Sequence, residues 1–369
     1  MKKVLYGTTA LLAAGMFTAA AEAATPLKLT VGGYLNAWMG YTNISEKDAD
    51  RRVNKFAIGT DGEIAFTAET KLDNGLKVGA VAEIVIGSTN RNQGYLDDVY
   101  VYAESKYGKV ELGATDNVAK KLHNSAPSAG VLSTDTLVDW LGFINIPVSL
   151  TDIAINFDGN DKKISYFSPK FYGFQVGASY IPGNVNGGFG FTNANNGNGA
   201  QANTVIKGNA NFSNAYVVSG AYNGKFSNVT VGADVAYGNA KVSEGKGVDQ
   251  YSFGADVGFS GFTVGAGYTL LDRNVNGRKN DQAFELGVGY ENGPYAVSAD
   301  YFVSKNGKVN GDKRGKFQKY EVSGKYKLGA GVDAFATFAY IDLNDRAALG
   351  PTGDLDKVWT VITGLALTF

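Results

Sequence analysis

Val358-Trp359-Thr360-Val361-Ile362-Thr363-Gly364-Leu365-Ala366-Leu367-Thr368-Phe369 is the stretch on which the fold turns. Every second residue back from Phe369 is mostly apolar: Leu367, Leu365, Thr363, Val361, Trp359. Those between are small or mixed. A period of two is a strand with one apolar face. A soluble chain rarely ends on an aromatic with no polar tail, whereas the closing strand of a membrane β-barrel ends in the aromatic belt at the bilayer edge. The reading is therefore all-β: a transmembrane antiparallel barrel whose terminal Phe369 marks the strand that the barrel-assembly machinery would take up.

The other end agrees. Met1-Lys2-Lys3 is a basic start, Val4 to Ala20 is apolar and alanine-rich, and Ala21-Glu22-Ala23 has the small-x-small pattern of a cleavage site. Residues 1–23 read as a signal peptide cut between Ala23 and Ala24, leaving 24–369 as one barrel domain. No later stretch stays apolar for the ~20 residues of a spanning helix. Cysteine is absent, excluding a disulfide framework. Glycine is abundant (49) and proline scarce (7), unlike a disordered linker. Without Lys2, Lys3 and Glu22 the chain carries 32 basic and 34 acidic side chains, a balance that argues against a nucleic-acid partner.

Alternation recurs along the chain. Val229, Val231, Ala233, Val235 and Tyr237 oppose Thr230, Gly232, Asp234, Ala236 and Gly238. Tyr295, Val297, Ala299, Tyr301 and Val303 oppose Ala296, Ser298, Asp300, Phe302 and Ser304. Aromatics sit at the ends of the apolar face, as two interfaces about 25 Å apart require. Seven short turns, such as Leu72-Asp73-Asn74-Gly75 and Phe259-Ser260-Gly261, alternate with eight long polar connections, such as Lys305 to Lys316. Together they join sixteen strands.

A barrel of ~16 strands leaves an aqueous lumen. The inward set is polar, with few large apolar residues, and includes Glu63, Glu83, Glu111, Asp234, Asp256, Glu285, Asp300, Lys319, Glu321 and Lys325. Such charges do not belong in a dry core. The third long connection, Asp116 to about Asp161, is less polar than the rest, with Val131-Leu132, Leu137-Val138 and Trp140 to Ile144. A loop folded into the lumen needs such residues; a surface lid is the alternative. It carries Asp116, Asp135, Asp139, Asp152 and Asp158 against Lys120 and Lys121, a set suited to a charged constriction.

With the leader, the run Ile164-Ser165-Tyr166-Phe167-Ser168-Pro169-Lys170-Phe171-Tyr172-Gly173-Phe174-Gln175-Val176-Gly177-Ala178-Ser179-Tyr180, the turn Tyr107-Gly108 and the final Phe369, the whole chain resembles the Gram-negative general diffusion porins, especially the alphaproteobacterial type. The resemblance implies a sixteen-stranded homotrimer among outer-membrane lipids. It also implies passive diffusion of ions and small hydrophilic solutes past an eyelet, with no cofactor. Family members often set an arginine cluster on the wall facing the third loop. Here the second strand offers Lys55, Ala57, Gly59, Asp61 and Glu63, with Arg51 and Arg52 at its rim and Lys163 inward on the sixth strand. Acids outnumber bases, so a weak cation preference is expected.

Other functions fit less well. The sole histidine, His123, adjoins Asn124 and Ser125 in the third loop, which is no geometry for a lipase nucleophile and base on the lipid face. One histidine and no cysteine argue against a transition-metal site. A substrate-selective channel would show an inner aromatic ladder; Tyr34, Trp38, Tyr100 and Tyr102 are inner-face candidates by parity, too few for a sugar slide. A plugged barrel with an adhesin or structural role is the remaining alternative.

Overall fold

In the computed structural model of the chain, residues 26–44, 55–86, 96–130, 150, 152–183, 212–242, 247–272, 280–307, 315–344 and 357–369 are described. The strands are β1 (Lys28–Ile44), β2 (Phe56–Lys71), β3 (Lys77–Ile86), β4 (Leu96–Ser105), β5 (Gly108–Ala114), β6 (Lys162–Phe167), β7 (Phe174–Gly183) and β8 (Phe212–Phe226). Then come β9 (Val229–Val242), β10 (Val248–Phe259), β11 (Phe262–Asp272), β12 (Asp281–Asn292), β13 (Tyr295–Lys305), β14 (Lys316–Gly329), β15 (Val332–Asn344) and β16 (Lys357–Thr368). Among the described residues a short helix, α1 (Val118–Lys121), follows β5.

Each strand pairs antiparallel with its chain neighbours, and β16 returns to β1, so the sheet is a closed barrel. All seven short turns and all eight long connections fall where the alternation puts them. The turns are tight because their central residues adopt positive φ: Ser260 and Gly261 lie at +50° and +86°, the primed geometry that matches the twist of the flanking strands. At the seam, Ala37 stands opposite Leu365 and Leu35 opposite Leu367. Phe369 donates its N–H to Gly33 O at 3.1 Å and accepts from Gly33 N–H at 2.9 Å.

The outer face is apolar and exposed, as lipid contact demands, with Val31, Ile58, Val176, Val235, Val257 and Val288 among its members. Aromatic pairs mark both rims. Tyr180–Tyr216, Tyr237–Tyr251 and Tyr301–Tyr320 meet as tilted pairs at the long-loop end, and Phe262–Tyr290 and Tyr295–Tyr326 at the short-turn end.

The lumen departs from expectation in one respect. Its wall is not polar throughout. Leu271, Phe302, Phe317, Ile341, Leu343 and Val358 point inward and are buried, with Phe302 edge-on to Phe317 at 5.9 Å. From β11 to β16 the long-loop half of the interior is packed like a protein core. The alternation assigns these residues to the inner face correctly. It cannot say that this face is covered rather than wet.

Candidate functional site

The third connection, loop 3, enters the barrel where β5 ends. Asn117 caps α1: its Oδ1 accepts from Ala119 N–H at 2.8 Å and Lys120 N–H at 3.2 Å. Its Nδ2 reaches the returning limb, donating to Ile155 O at 2.9 Å and Asp158 Oδ1 at 2.6 Å. Lys163 completes this clasp. It faces inward, as its parity requires, but its side chain is enclosed: it pairs with Asp158 at 3.1 Å and donates to Gly159 O at 3.0 Å and to Thr115 O. It closes the neck of the loop and offers no free charge to the lumen. Asp161 beside it is pushed up to about 7, by burial first and the Asp158 carboxylate second.

Beyond α1 the loop lies against the wall on a track of inward glycines. A Cβ on Gly265 would stand 2.5 Å from Ser125 O, one on Gly267 2.5 Å from an Ile153 methyl, and one on Gly254 would collide with Asn124 O. Strand side chains grip the loop backbone. Asp234 accepts from Asn124 N–H at 2.6 Å, Glu285 from Ala126 N–H at 3.0 Å and Ser298 from Ala129 N–H at 2.8 Å. These contacts account for several acids and small residues that the sequence could place inward without giving them a task.

Opposite this seat the wall of β2–β4 is acidic. Carboxylate oxygens of Glu63, Glu83 and Asp97 lie within 4.8 Å of one another, an arrangement able to hold a hard divalent cation or to attract any passing one. Asp61 accepts from the Tyr34 hydroxyl at 3.3 Å. Asp97 takes a bond from Asn160 at 2.8 Å and Asp98 one from the Thr115 hydroxyl at 2.6 Å. Asp97 and Asp98 escape a strict alternation because β4 bulges: Ala82 pairs with Val99 but Ile84 with Leu96, so two residues oppose Glu83 alone. Leu96 and Val99 both face out at a spacing of three, and that broken period was the available signal.

The predicted loop charges divide. Lys120 lies 3.7 Å from Asp116 and 4.0 Å from Asp152. Lys121 pairs with Glu111 at 2.6 Å and sits 4.7 Å over the Tyr100 ring, while Lys109 shares Glu111 at 2.7 Å and covers Tyr102 at 4.7 Å. Lys55 is exposed at the loop end of β2, donating to Asn43 at 3.1 Å. Arg51, Arg52, Asp135, Asp139 and the Ala23–Ala24 junction lie outside the described residues.

A closed barrel of sixteen strands, apolar outside, aromatic at both rims, and lined by charges and an inlaid loop, is an outer-membrane channel. The chain belongs to the Gram-negative porin family: the model of that family matches residues 7–346. An uncharacterized protein of Rickettsia bellii is 24% identical over 377 residues, covering 83% of each chain. Among solved structures, the outer membrane channel DcaP of Acinetobacter baumannii aligns with a TM-score of 0.65 at 14% identity, over 95% of this chain and 100% of its own. The anion-selective porin from Comamonas acidovorans aligns at 0.62 with 17% identity, over 93% and 100%. At these identities the likeness is one of fold.

Proposed function

We propose that the mature chain, released by cleavage after Ala23, is a homotrimeric diffusion pore passing ions and small hydrophilic solutes with a modest preference for cations. The observation that carries the preference is the acidic wall: Asp61, Glu63, Glu83, Asp97 and Asp98 line β2–β4, while Lys109, Lys120, Lys121 and Lys163 are each engaged with a carboxylate. Charges across a few Å of confined water are screened less than charges on an open surface. The anion selectivity of the Comamonas protein does not argue otherwise, since lumen side chains and not the barrel set the sign. Reversal potentials across a planar bilayer in a salt gradient test the reading. Wild type should favour cations, and Glu63→Gln with Glu83→Gln should lose most of that preference at unchanged fold. Anion preference in the wild type overturns it.

For the trimer, one candidate contact wall is the first and last strands, with Gly33, Ala37 and Leu365 among their outward positions. Tyr41 and Trp359 meet at 5.5 Å in a tilted pair on the outside of that seam, which suits lipid headgroups. The outward positions of β3–β5, among them Val78, Ala80, Val101, Ala103, Val110 and Leu112, hold no aromatic. All six line an apolar groove of about 490 Å³ that reaches Leu27. Small side chains on a flat apolar wall favour a second copy of the chain there.

A further inference from the structure

His123 is the only histidine of the chain, and it stands where loop 3 meets the wall. Its Nδ1 lies 3.1 Å from Asp234 Oδ2, while the other Asp234 oxygen accepts from Asn124 N–H at 2.6 Å. One β9 carboxylate thus holds two consecutive loop residues. The imidazole is nearly buried, and its Nε2 has no hydrogen-bond partner among the described residues. The charges that act on it are acidic. Asp234 faces it from β9, Glu285 from β12 and Asp152 from the returning limb of the loop. Asp256 on β10 closes on Asn124, since a Cβ on Gly232 would crowd both. Lys319 on β14 acts on Glu285 but is held by Asp300 and Glu321 at 3.0 and 2.7 Å.

We propose that Asp234 is a positioning residue for the constriction, and that protonation of His123 sets how firmly loop 3 is held against the wall, making the aperture pH-sensitive. This rests on the channel reading above. With an imidazolium in place, the cluster of carboxylates has a cation at its centre and loop 3 is clamped. A neutral imidazole keeps one N–H for Asp234 but takes the positive charge away from Asp234, Asp256 and Glu285, while Asp152 retains Lys120 at 4.0 Å. Around His123 the loop is then left to the Asn124 bond on Asp234 and to the next grips, Ala126 on Glu285 and Ala129 on Ser298. Burial draws the imidazole down, but the bond and charge of Asp234, with Asp152 and Glu285, raise it overall above its ordinary value. The sign follows: the clamp is fully present below about pH 6.5, the unperturbed value, and is lost as pH rises through the higher folded-state value.

Two measurements on the full-length barrel test this. In planar bilayers, wild-type channels should hold one steady conductance level at low pH and become noisy above the transition. His123→Gln, which keeps an amide donor but cannot titrate, should show no transition between pH 5 and 9. Asp234→Asn should move it downward. The second measurement is an NMR titration of the single isotope-labelled histidine in micelles, with heat-modifiable gel mobility confirming a folded barrel. Its midpoint should lie above about 6.5 and fall in Asp234→Asn. A wild-type midpoint at or below that value, or the same pH-dependent noise in His123→Gln, overturns the clamp. A correct midpoint in a protein that passes no current at any pH overturns the channel reading and the aperture with it.

Discussion

The two sides of the lumen are built on opposite principles. On β2–β4 carboxylates crowd together and face water. On β11–β16 apolar side chains are packed away, and the one buried lysine there, Lys319, sits between two acids. The barrel is thus half pore wall and half scaffold. Charge is tolerated on the first side because water solvates it, and on the second only where a partner neutralises it.

That difference should separate the two sides under mutation. Lys319→Met leaves Asp300 and Glu321 buried without a cation and should cost ~3–5 kcal/mol, read as a lower midpoint of urea unfolding in micelles. Lys55→Met, at an exposed rim, should leave the midpoint in place, and equal losses would erase the distinction between wet and packed sides. Next, Ile341→Val on the packed side should cost ~0.5–1.5 kcal/mol, while Glu83→Gln on the acidic side alters selectivity and not stability. A pH-dependent effect concerns the clasp. Asp161 is held near 7, so its ionisation opposes folding: stability is greatest below the ordinary carboxylate range and declines as pH rises from about 4 toward that value. Asp161→Asn should therefore stabilise the barrel at pH 8 and do little at pH 4.

Strand number, turn positions and inner and outer faces were legible because a bilayer and a wet lumen impose a strict period of two. The seat of loop 3 was not. Gly254, Gly265 and Gly267 read as small inward residues, and nothing in their own strands says that Asn124, Ser125 and Ile153 lie on them. Asp97 was hidden by a bulge. Lys163 had the right face and the wrong setting, because parity reports direction and not what stands opposite. An irregular loop has no period, so the clasp around Asn117 and Asp158 needed coordinates.

The seam between β1 and β16 has a consequence for how the barrel forms. Every other pairing joins strands consecutive in the chain, so fifteen of them form between neighbours in sequence. At the seam the Thr42 and Thr360 hydroxyls meet at 2.9 Å across 318 residues. The entropy of closing so long a span grows only with the logarithm of its length, by roughly 0.6 kcal/mol per doubling, so equilibrium barely registers the distance. The timing does, because contacts remote in sequence form slowly. Until they form, two strand edges stay open, and in hydrocarbon each unpaired N–H and C=O costs several kcal/mol. The hazardous moment in the life of this protein is therefore the last step before it becomes a cylinder, and help from other factors is most needed at that one seam.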